Sequence, residues 1–163
     1  MELVNIVNDK DEVVGQADVK KAHAEKLLHR IVHVLIMNHS GEMALQMRSG
    51  KKHFCPDHWC TAVGGHVQTG ETYAQAASRE CREEIGTTIP KMNKTFFDFY
   101  ENEQNGNLFL TTYVATYDGP FYPNPDEVEK IVFFKIDEIK NMIKRGEKFH
   151  PELLFLLNKH LGV

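Results

Sequence analysis

The stretch that decides the fold lies at residues 64–87 and reads GGHVQTGETYAQAASRECREEIGT. From Thr72 to Ile85 it contains no Pro or Gly and several Ala residues, which predicts one helix. Thr72 is suited to be the N-cap, because its hydroxyl can accept a backbone N–H of the first turn. Gly86 can adopt the left-handed conformation that ends a helix. The stretch therefore predicts a glycine-containing loop followed by a single helix.

The predicted helix has two distinct faces when residues are placed at about 100° intervals. An apolar stripe suited to a core is formed by Ala74, Ala77, Cys81 and Ile85. A second face carries the carboxylates of Glu80, Glu83 and Glu84. Carboxylates this close repel one another unless a cation lies among them, and their hard oxygens suit Mg²⁺ or Mn²⁺ better than zinc. The alternative is a solvated acidic surface, because runs of charge usually face water.

The loop before the helix favours a site over a solvated surface. Gly64, Gly65 and Gly70 allow sharp bending and bring bare backbone close to a ligand. Phosphate oxygens bind well where such a loop leads into a helix N-terminus. Together, the loop and the carboxylates indicate metal-assisted chemistry on a diphosphate.

The stretch resembles a Nudix box, whose family pattern is G-x5-E-x7-R-E-U-x-E-E-x-G-U with U bulky and apolar. Its fixed positions are filled here by Gly65, Glu71, Arg79, Glu80, Glu83, Glu84 and Gly86. Cys81 fills the first U position acceptably, whereas Thr87 departs from the pattern at the second. The resemblance implies an α/β fold, an α/β/α sandwich with a mixed sheet, the box loop and helix, and C-terminal helices.

The resemblance also implies a Mg²⁺-dependent (Mn²⁺ possible) hydrolase of a diphosphate linkage in a nucleoside diphosphate joined to another moiety, or in a related small diphosphate. The implied metal ligands are Glu80, Glu83, Glu84 and the Gly64 carbonyl. The implied general base is one of Glu83, Glu84 and Glu127, with Glu129 a weaker candidate for a further carboxylate. Substrate contacts are expected from Arg48 and His66. The structural residues of the box are Gly65, Glu71, Arg79 and Gly86, with Glu71 and Arg79 expected to pair.

The amino-acid composition indicates the broad class of protein. The chain has 163 residues, 42% hydrophobic and 26% charged, which suggests one soluble domain spanning 1–163, with residues 1–28 as a lead-in. The net charge of −4 gives no reason to expect nucleic acid or membrane as partner. Three cysteines and no signal-peptide pattern favour a reducing cytoplasm. The partner expected is a small-molecule diphosphate, and the chain is expected to be a monomer or homodimer.

Apolar alternation and turn residues predict the remaining elements. Strands are expected at Glu2–Asn8, from Val13, and at His29–Asn38, Met43–Met47, Trp59–Val63, Thr95–Glu101, Leu108–Tyr117 and Val128–Ile136. Met43–Met47 is expected to be the hairpin partner of His29–Asn38. Three more helices are expected, the first capped by Asp18 and running through Leu28, the second capped by Asp137, and the last opening at Pro151. The apolar stripe of the last helix is predicted to be Leu153, Leu154, Leu157 and Leu161.

Two alternative functions remain open at this point. The N-terminal section resembles the isopentenyl-diphosphate-isomerase-like branch of the family, whose isomerases bind a metal through histidines at places comparable to His29 and His66. However, Gly64 stands where the isomerase cysteine would align, and the strand at Leu108–Thr116 contains no carboxylate. The second alternative is a catalytically silent diphosphate-binding module. A zinc site at His53, Cys55, His58 and Cys60 is disfavoured by its tight spacing.

Overall fold

The structure is a computed structural model that describes residues 1–163. Its strands are β1 (Leu3–Val7), β2 (Val13–Asp18), β3 (His29–Met37), β4 (Met43–Arg48), β5 (Trp59–Thr61), β6 (Val63–His66), β7 (Asn93–Tyr100), β8 (Leu108–Thr116) and β9 (Val128–Phe134). Its helices are α1 (Val19–Ala24), α2 (Tyr73–Ile85), α3 (Ile136–Lys144) and α4 (Pro151–Leu161). No helix is long and apolar enough to cross a membrane.

The strands form a small hairpin and one large mixed sheet. Strands β1 and β2 pair with each other, and the large sheet has the order β5-β4-β3-β8-β7, with β6 paired to β3 and β9 paired to β4. Strands β3 and β8 run parallel over nine residue pairs, from His29↔Leu108 to Met37↔Thr116. The other pairings are antiparallel. The sheet is therefore mixed, as predicted.

Helices cover both faces of this sheet, because the central strand β3 is apolar on both sides. Val32, Val34 and Ile36 belong to a core shared with Ala77 and Ile85 of α2. Leu35 belongs to a second core, which also contains buried side chains of α3 and α4. Alternate residues of a strand point to opposite faces, so the sheet lies between α2 on one side and the C-terminal helices on the other. This arrangement is the expected α/β/α sandwich.

Helix α2 begins and ends at the predicted residues, but its buried face is shifted. Thr72 is the N-cap, with the side chain of Gln75 completing a capping box, and Gly86 ends the helix at φ 64°. Ala74 is exposed, and Ala76 is buried instead. The shift widens the buried face toward the carboxylates, so that Glu80 and Glu84 are also buried.

Several predicted boundaries and faces are wrong for local reasons. Helix α1 ends at Ala24 instead of Leu28, because Lys26 adopts a positive φ of 54°. Helix α3 has Lys135 as its N-cap, and Asp137 lies within the first turn. In α4 the exposed Leu154 is not part of the apolar stripe, whereas Leu156 is buried.

Two predictions about strands also need correction. Strand β4 meets β3 at only one pair, Met37↔Met43, and pairs instead with β5 and β9. The predicted strand at Trp59–Val63 is two strands, β5 and β6, separated at Ala62. The break lets β5 join β4 while β6 joins β3. The prediction that Gly64 and Gly65 lie in a loop is wrong, because both pair with β3 inside β6, and the loop that leads to α2 begins after His66.

Candidate active site

A cavity of about 480 Å³ lies where β3, β6, α2, α4 and the N-terminal lead-in meet. Of the predicted site residues, those lining it are Arg48, Gly64, Gly65, His66, Glu80, Glu83, Glu84 and Glu127. The remaining predicted residues, Glu71, Arg79 and Gly86, lie behind this lining. Glu129 is exposed and does not line the cavity.

Glu80 and Glu84 form the buried part of the acidic cluster, with exposures of 8% and 6%. They lie four residues apart and therefore on the same face of α2. Burial raises the pKa of Glu80. Burial, followed by the negative charge of Glu80, raises the pKa of Glu84 well above its ordinary value. Two neighbouring buried carboxylates are stable only if one binds a proton or a cation lies between them.

Amide donors hold the Glu84 carboxylate in place. The side-chain amide of Gln46 donates to Oε1 at 2.7 Å, and the backbone N–H of Gly64 donates to Oε2 at 3.3 Å. Gln46 also donates to the carbonyl of Ala62, so a buried polar residue of β4 links the strand break to α2. Gly64 thus contacts the Glu84 carboxylate through its backbone, next to the carbonyl predicted as a metal ligand.

Arg79 joins the loop to the helix. Its guanidinium donates to Oε1 of Glu71 at 2.6 Å, to Oε2 at 3.0 Å, and to the carbonyl of His66 at 2.9 Å. The same group donates to Glu80 at 2.8 Å and to Glu83 at 3.0 Å. Burial raises the pKa of Glu71, but the hydrogen bond from Arg79, the hydrogen bond from the Gln68 N–H and the charge of Arg79 together lower that pKa overall.

Gly65 leaves the space that Glu80 occupies. A Cβ at this position would lie 2.2 Å from Oε1 of Glu80, which is far inside van der Waals contact. Only glycine lets β6 pass this close to the carboxylate. The position of the Glu80 carboxylate therefore depends on the absence of a Cβ at Gly65.

The loop after β8 brings Glu127 to the cavity. The N–H of Tyr122 donates to the carbonyl of Ile85 at 2.8 Å, and the N–H of Asn124 donates to the carbonyl of Glu84 at 3.0 Å. The end of α2 therefore anchors this loop. Glu127 is half-buried and forms an ion pair with Lys52, which also lines the cavity.

Arg48 and Glu83 are less confined than the buried acids. The Arg48 guanidinium donates to the carbonyls of Phe54 and Cys55, so it holds the loop after β4 while lining the cavity. Glu83 is exposed and contacts Arg79.

Thr87, the residue that departs from the box pattern, lies with its hydroxyl 3.3 Å from the Tyr117 hydroxyl.

A cluster of three histidines forms another part of the wall. One ring nitrogen from each of His23, His29 and His66 lies within 4.8 Å of the other two. His29 is fully buried, and its Nδ1 lies 2.7 Å from the carbonyl of Leu27. That contact places the proton on Nδ1 and leaves Nε2, which has no hydrogen-bond partner, as a ligand atom. Burial lowers the pKa of His29 to about 4, so the ring is neutral at pH 7.

The two groups suit different ions. The carboxylates of α2 offer hard oxygens, the donors that Mg²⁺ prefers, and a cation would stabilise their charged forms against the burial that raises their pKa values. The histidine cluster offers nitrogen donors, which suit transition metals. The residues present therefore fit a divalent cation at the acidic cluster.

Several residues that line the cavity were not predicted from the sequence, among them Glu2, His23, His33, Gln46 and Glu152. The role of Gln46 could have been predicted from the sequence, because a polar residue in the apolar run of β4 needs a buried hydrogen-bond partner. Nothing in the sequence indicates that Glu2 and His23 line the cavity, because they reach it only through the packing of the N-terminal lead-in. Nδ1 of His66 lies 3.0 Å from Oε1 of Glu2.

Comparison with known proteins gives concordant results. The model of the NUDIX domain matches residues 27–157. An uncharacterized Nudix hydrolase of Pseudomonas aeruginosa is 30% identical over 163 residues, covering 98% of this chain and 94% of the relative. The uncharacterized Nudix hydrolase YfcD of Escherichia coli is 30% identical over 154 residues, covering 94% and 83%.

Solved structures also match most of the chain. The protein DR0079 of Deinococcus radiodurans has a TM-score of 0.78 and 25% identity, covering 97% of this chain and 98% of its own. The NUDIX domain of Shewanella oneidensis NrtR, solved with ADP ribose, has a TM-score of 0.65 at 14% identity, covering 82% of this chain and 86% of its own. The second likeness concerns the fold alone.

Proposed function

The chain belongs to the NUDIX domain family, and from this premise we propose that it is a Mg²⁺-dependent hydrolase of an organic diphosphate, with Mn²⁺ as an alternative ion. The observation that carries the proposal is the buried pair Glu80 and Glu84 at the glycine loop, which needs positive charge. The proposed ligands are Glu80, Glu83, Glu84 and the Gly64 carbonyl. A bound divalent ion neutralises the diphosphate and lowers the pKa of a bound water.

The residues of the chain perform the remaining tasks in this proposal. One of Glu83, Glu84 and Glu127 takes the proton from water as it attacks phosphorus, and the bridging oxygen leaves with the other phosphate. Glu83 and Glu127 are the two that water reaches most readily, because Glu83 is exposed and Glu127 is half-buried. Arg48 and Lys52, which line the cavity, offer positive charge to the substrate phosphates. His66 contacts the substrate, and the Glu71–Arg79 pair holds the loop against α2.

The test is release of phosphate or nucleoside monophosphate from a panel of diphosphates, with and without Mg²⁺. Glu84→Gln keeps the shape of the side chain and removes its charge, and we expect a loss of at least about 100-fold in kcat/KM. Glu129→Gln is the matched control, because Glu129 is an exposed carboxylate outside the cavity. Full metal-dependent activity in Glu84→Gln would contradict the proposal. No turnover of any diphosphate would favour a silent binding module.

The histidine cluster is the one observation that favours an isomerase. The backbone at Gly64 offers no side chain for proton transfer, and β8 has no carboxylate. The cluster therefore supports a second metal site more than a second reaction. Isopentenyl diphosphate in the same panel separates the two functions, since an isomerase consumes it without releasing phosphate.

A further inference from the structure

Glu152 places a carboxylate on the cavity wall far from the box in sequence. It lies in the first turn of α4, directly after Pro151, and is 6% exposed. Its N–H donates to Nδ1 of His150, the N-cap residue, at 3.1 Å. A helix N-terminus stabilises negative charge, so α4 holds this side chain as an anion beside the cavity.

His33 fixes one oxygen of that carboxylate. Nε2 of His33 lies 2.7 Å from Oε1 of Glu152, and Nδ1 lies 2.6 Å from the Thr61 hydroxyl. Thr61 itself donates to the carbonyl of Val63 at 2.9 Å, so its oxygen must accept from His33. Nδ1 of His33 is therefore the donor to Thr61, which orients the ring with Nε2 toward Glu152. Burial opposes the charge on Glu152, but the hydrogen bond from His33 lowers the pKa of Glu152 to about 2.

The second oxygen of the carboxylate has no protein partner. His33 is the only group that hydrogen-bonds the Glu152 side chain, and Glu152 lines the cavity. The lining of the whole cavity is mainly polar. Besides Glu152 it includes His23, His29, His66, His150, Asn102 and Asn105. This oxygen is not among the buried unpaired atoms of the structure, so a hydrogen-bond donor in the cavity can reach it.

Gly64 connects this carboxylate to the acidic cluster of α2. Its N–H contacts Glu84, and a Cβ on Gly64 would lie 3.0 Å from Nδ1 of His33. Gly64 therefore lies between Glu84 on one side and the His33–Glu152 pair on the other. Glu84 and Glu152 line the same cavity of about 480 Å³, so both are open to a ligand bound there.

Building on the proposed function, we propose that Glu152 is a specificity-determining residue that binds hydroxyl groups of the substrate's organic moiety. The substrate class is then a hydroxylated diphosphate, such as a sugar or nucleoside derivative, and not an apolar one. A site built to bind a hydroxyl rejects an analogue without one, because the buried acceptor is left unpaired. A hydrogen bond to a charged group corresponds to about 10- to 100-fold in affinity.

The experiment measures binding, so it does not depend on turnover. Calorimetric titrations with Mg²⁺ use the methylene-bridged analogues of ADP and UDP-glucose, and methylenediphosphonate, which has no organic end. The proteins are wild type, Glu152→Gln, Glu152→Asp and the control Glu129→Gln. Glu152→Asp keeps the charge with a shorter reach, so it remains informative if Glu152→Gln folds poorly. Melting temperatures check the fold of each variant.

We expect Glu152→Gln to weaken binding of at least one hydroxylated analogue by about 10- to 100-fold, with a smaller loss in Glu152→Asp. Methylenediphosphonate should lose no affinity in any of the variants. Equal losses for every ligand, or no loss for any hydroxylated analogue, would overturn the role of Glu152. The proposed hydrolase fails separately, if wild type binds these ligands but releases neither phosphate nor nucleoside monophosphate from their hydrolysable counterparts.

Discussion

At the scale of single residues, Gly65 ties the backbone of β6 to the position of one carboxylate. Gly65→Ala would place a methyl group 2.2 Å from Oε1 of Glu80. Glu80 can swing away, so we expect the fold to survive while the acidic cluster loses its geometry. A misplacement of about 1 Å can cost about 100-fold in rate, and we predict a loss of this order in kcat/KM, measured by phosphate release.

Gly15→Ala is the control for this substitution, because a Cβ at Gly15 meets no atom within 4 Å. It should keep both activity and melting temperature. If Gly65→Ala were as active as wild type, the placement of Glu80 under β6 would not matter for the reaction.

The raised pKa of Glu84 predicts how stability depends on pH in the absence of metal. In the unfolded chain this carboxyl titrates near its ordinary value of 4.5, and in the folded protein well above it. Between the two pKa values the folded state binds more protons, so stability falls as pH rises through this interval, by up to about 1.4 kcal/mol per pH unit. Urea unfolding in EDTA should show this fall for wild type relative to Glu84→Gln.

Adding Mg²⁺ should remove much of the fall, because a bound cation replaces the proton between the carboxylates. Glu129→Gln should follow the wild-type profile. Parallel profiles for wild type and Glu84→Gln from pH 5 to 8 would show that the charge on Glu84 is not destabilising.

At the scale of elements, α2 could be predicted because the residues that begin and end it are adjacent to it in the sequence. Thr72 and Gly86 mark its ends in the sequence, and the structure places a cap at each. The buried face was harder to predict. Periodicity assigned Glu80 and Glu84 to a face separate from the core, whereas the sheet and the loop after β8 cover them. Burial of a charged residue depends on what packs over it, and that is set by distant segments.

The capping interaction at Thr72 gives a prediction at this scale. Thr72→Ala removes the hydroxyl that accepts from the N–H of Gln75 at 3.1 Å. Losing an N-cap costs about 1 kcal/mol, which urea unfolding can measure. The exposed Thr69 provides the control Thr69→Ala. Equal stability of the two variants would mean that the glycine loop holds the start of α2 without its cap.

At the scale of the whole molecule, the cavity gathers residues that no local pattern connects. Glu2 and His23 come from the lead-in, His33 from β3, and Glu152 from α4. The parallel pairing of β3 with β8 and the docking of the hairpin bring them together. These are contacts between segments far apart in the chain, so the sequence predicted the acidic half of the cavity and the histidines His29 and His66, but not the residues that join them.

The negative charge of the protein is concentrated in the cavity. Six glutamates and two cationic side chains, Arg48 and Lys52, line the cavity, an excess of four negative charges. The whole chain has a net charge of −4, so the remaining 17 acidic and 17 basic residues balance. The glutamates are Glu2, Glu80, Glu83, Glu84, Glu127 and Glu152. A cavity with this excess repels a diphosphate and attracts cations.

We therefore predict that Mg²⁺ strengthens binding of methylenediphosphonate by at least about tenfold compared with EDTA, as measured by calorimetry. The double variant Glu80→Gln/Glu84→Gln should bind the anion more tightly in EDTA than wild type does, and should lose the enhancement by Mg²⁺. Glu103→Gln/Glu129→Gln removes two exposed charges outside the cavity and should behave like wild type. Equal binding by wild type in EDTA and in Mg²⁺ would show that Arg48 and Lys52 alone suffice to hold the diphosphate, and that the acidic cluster has another purpose.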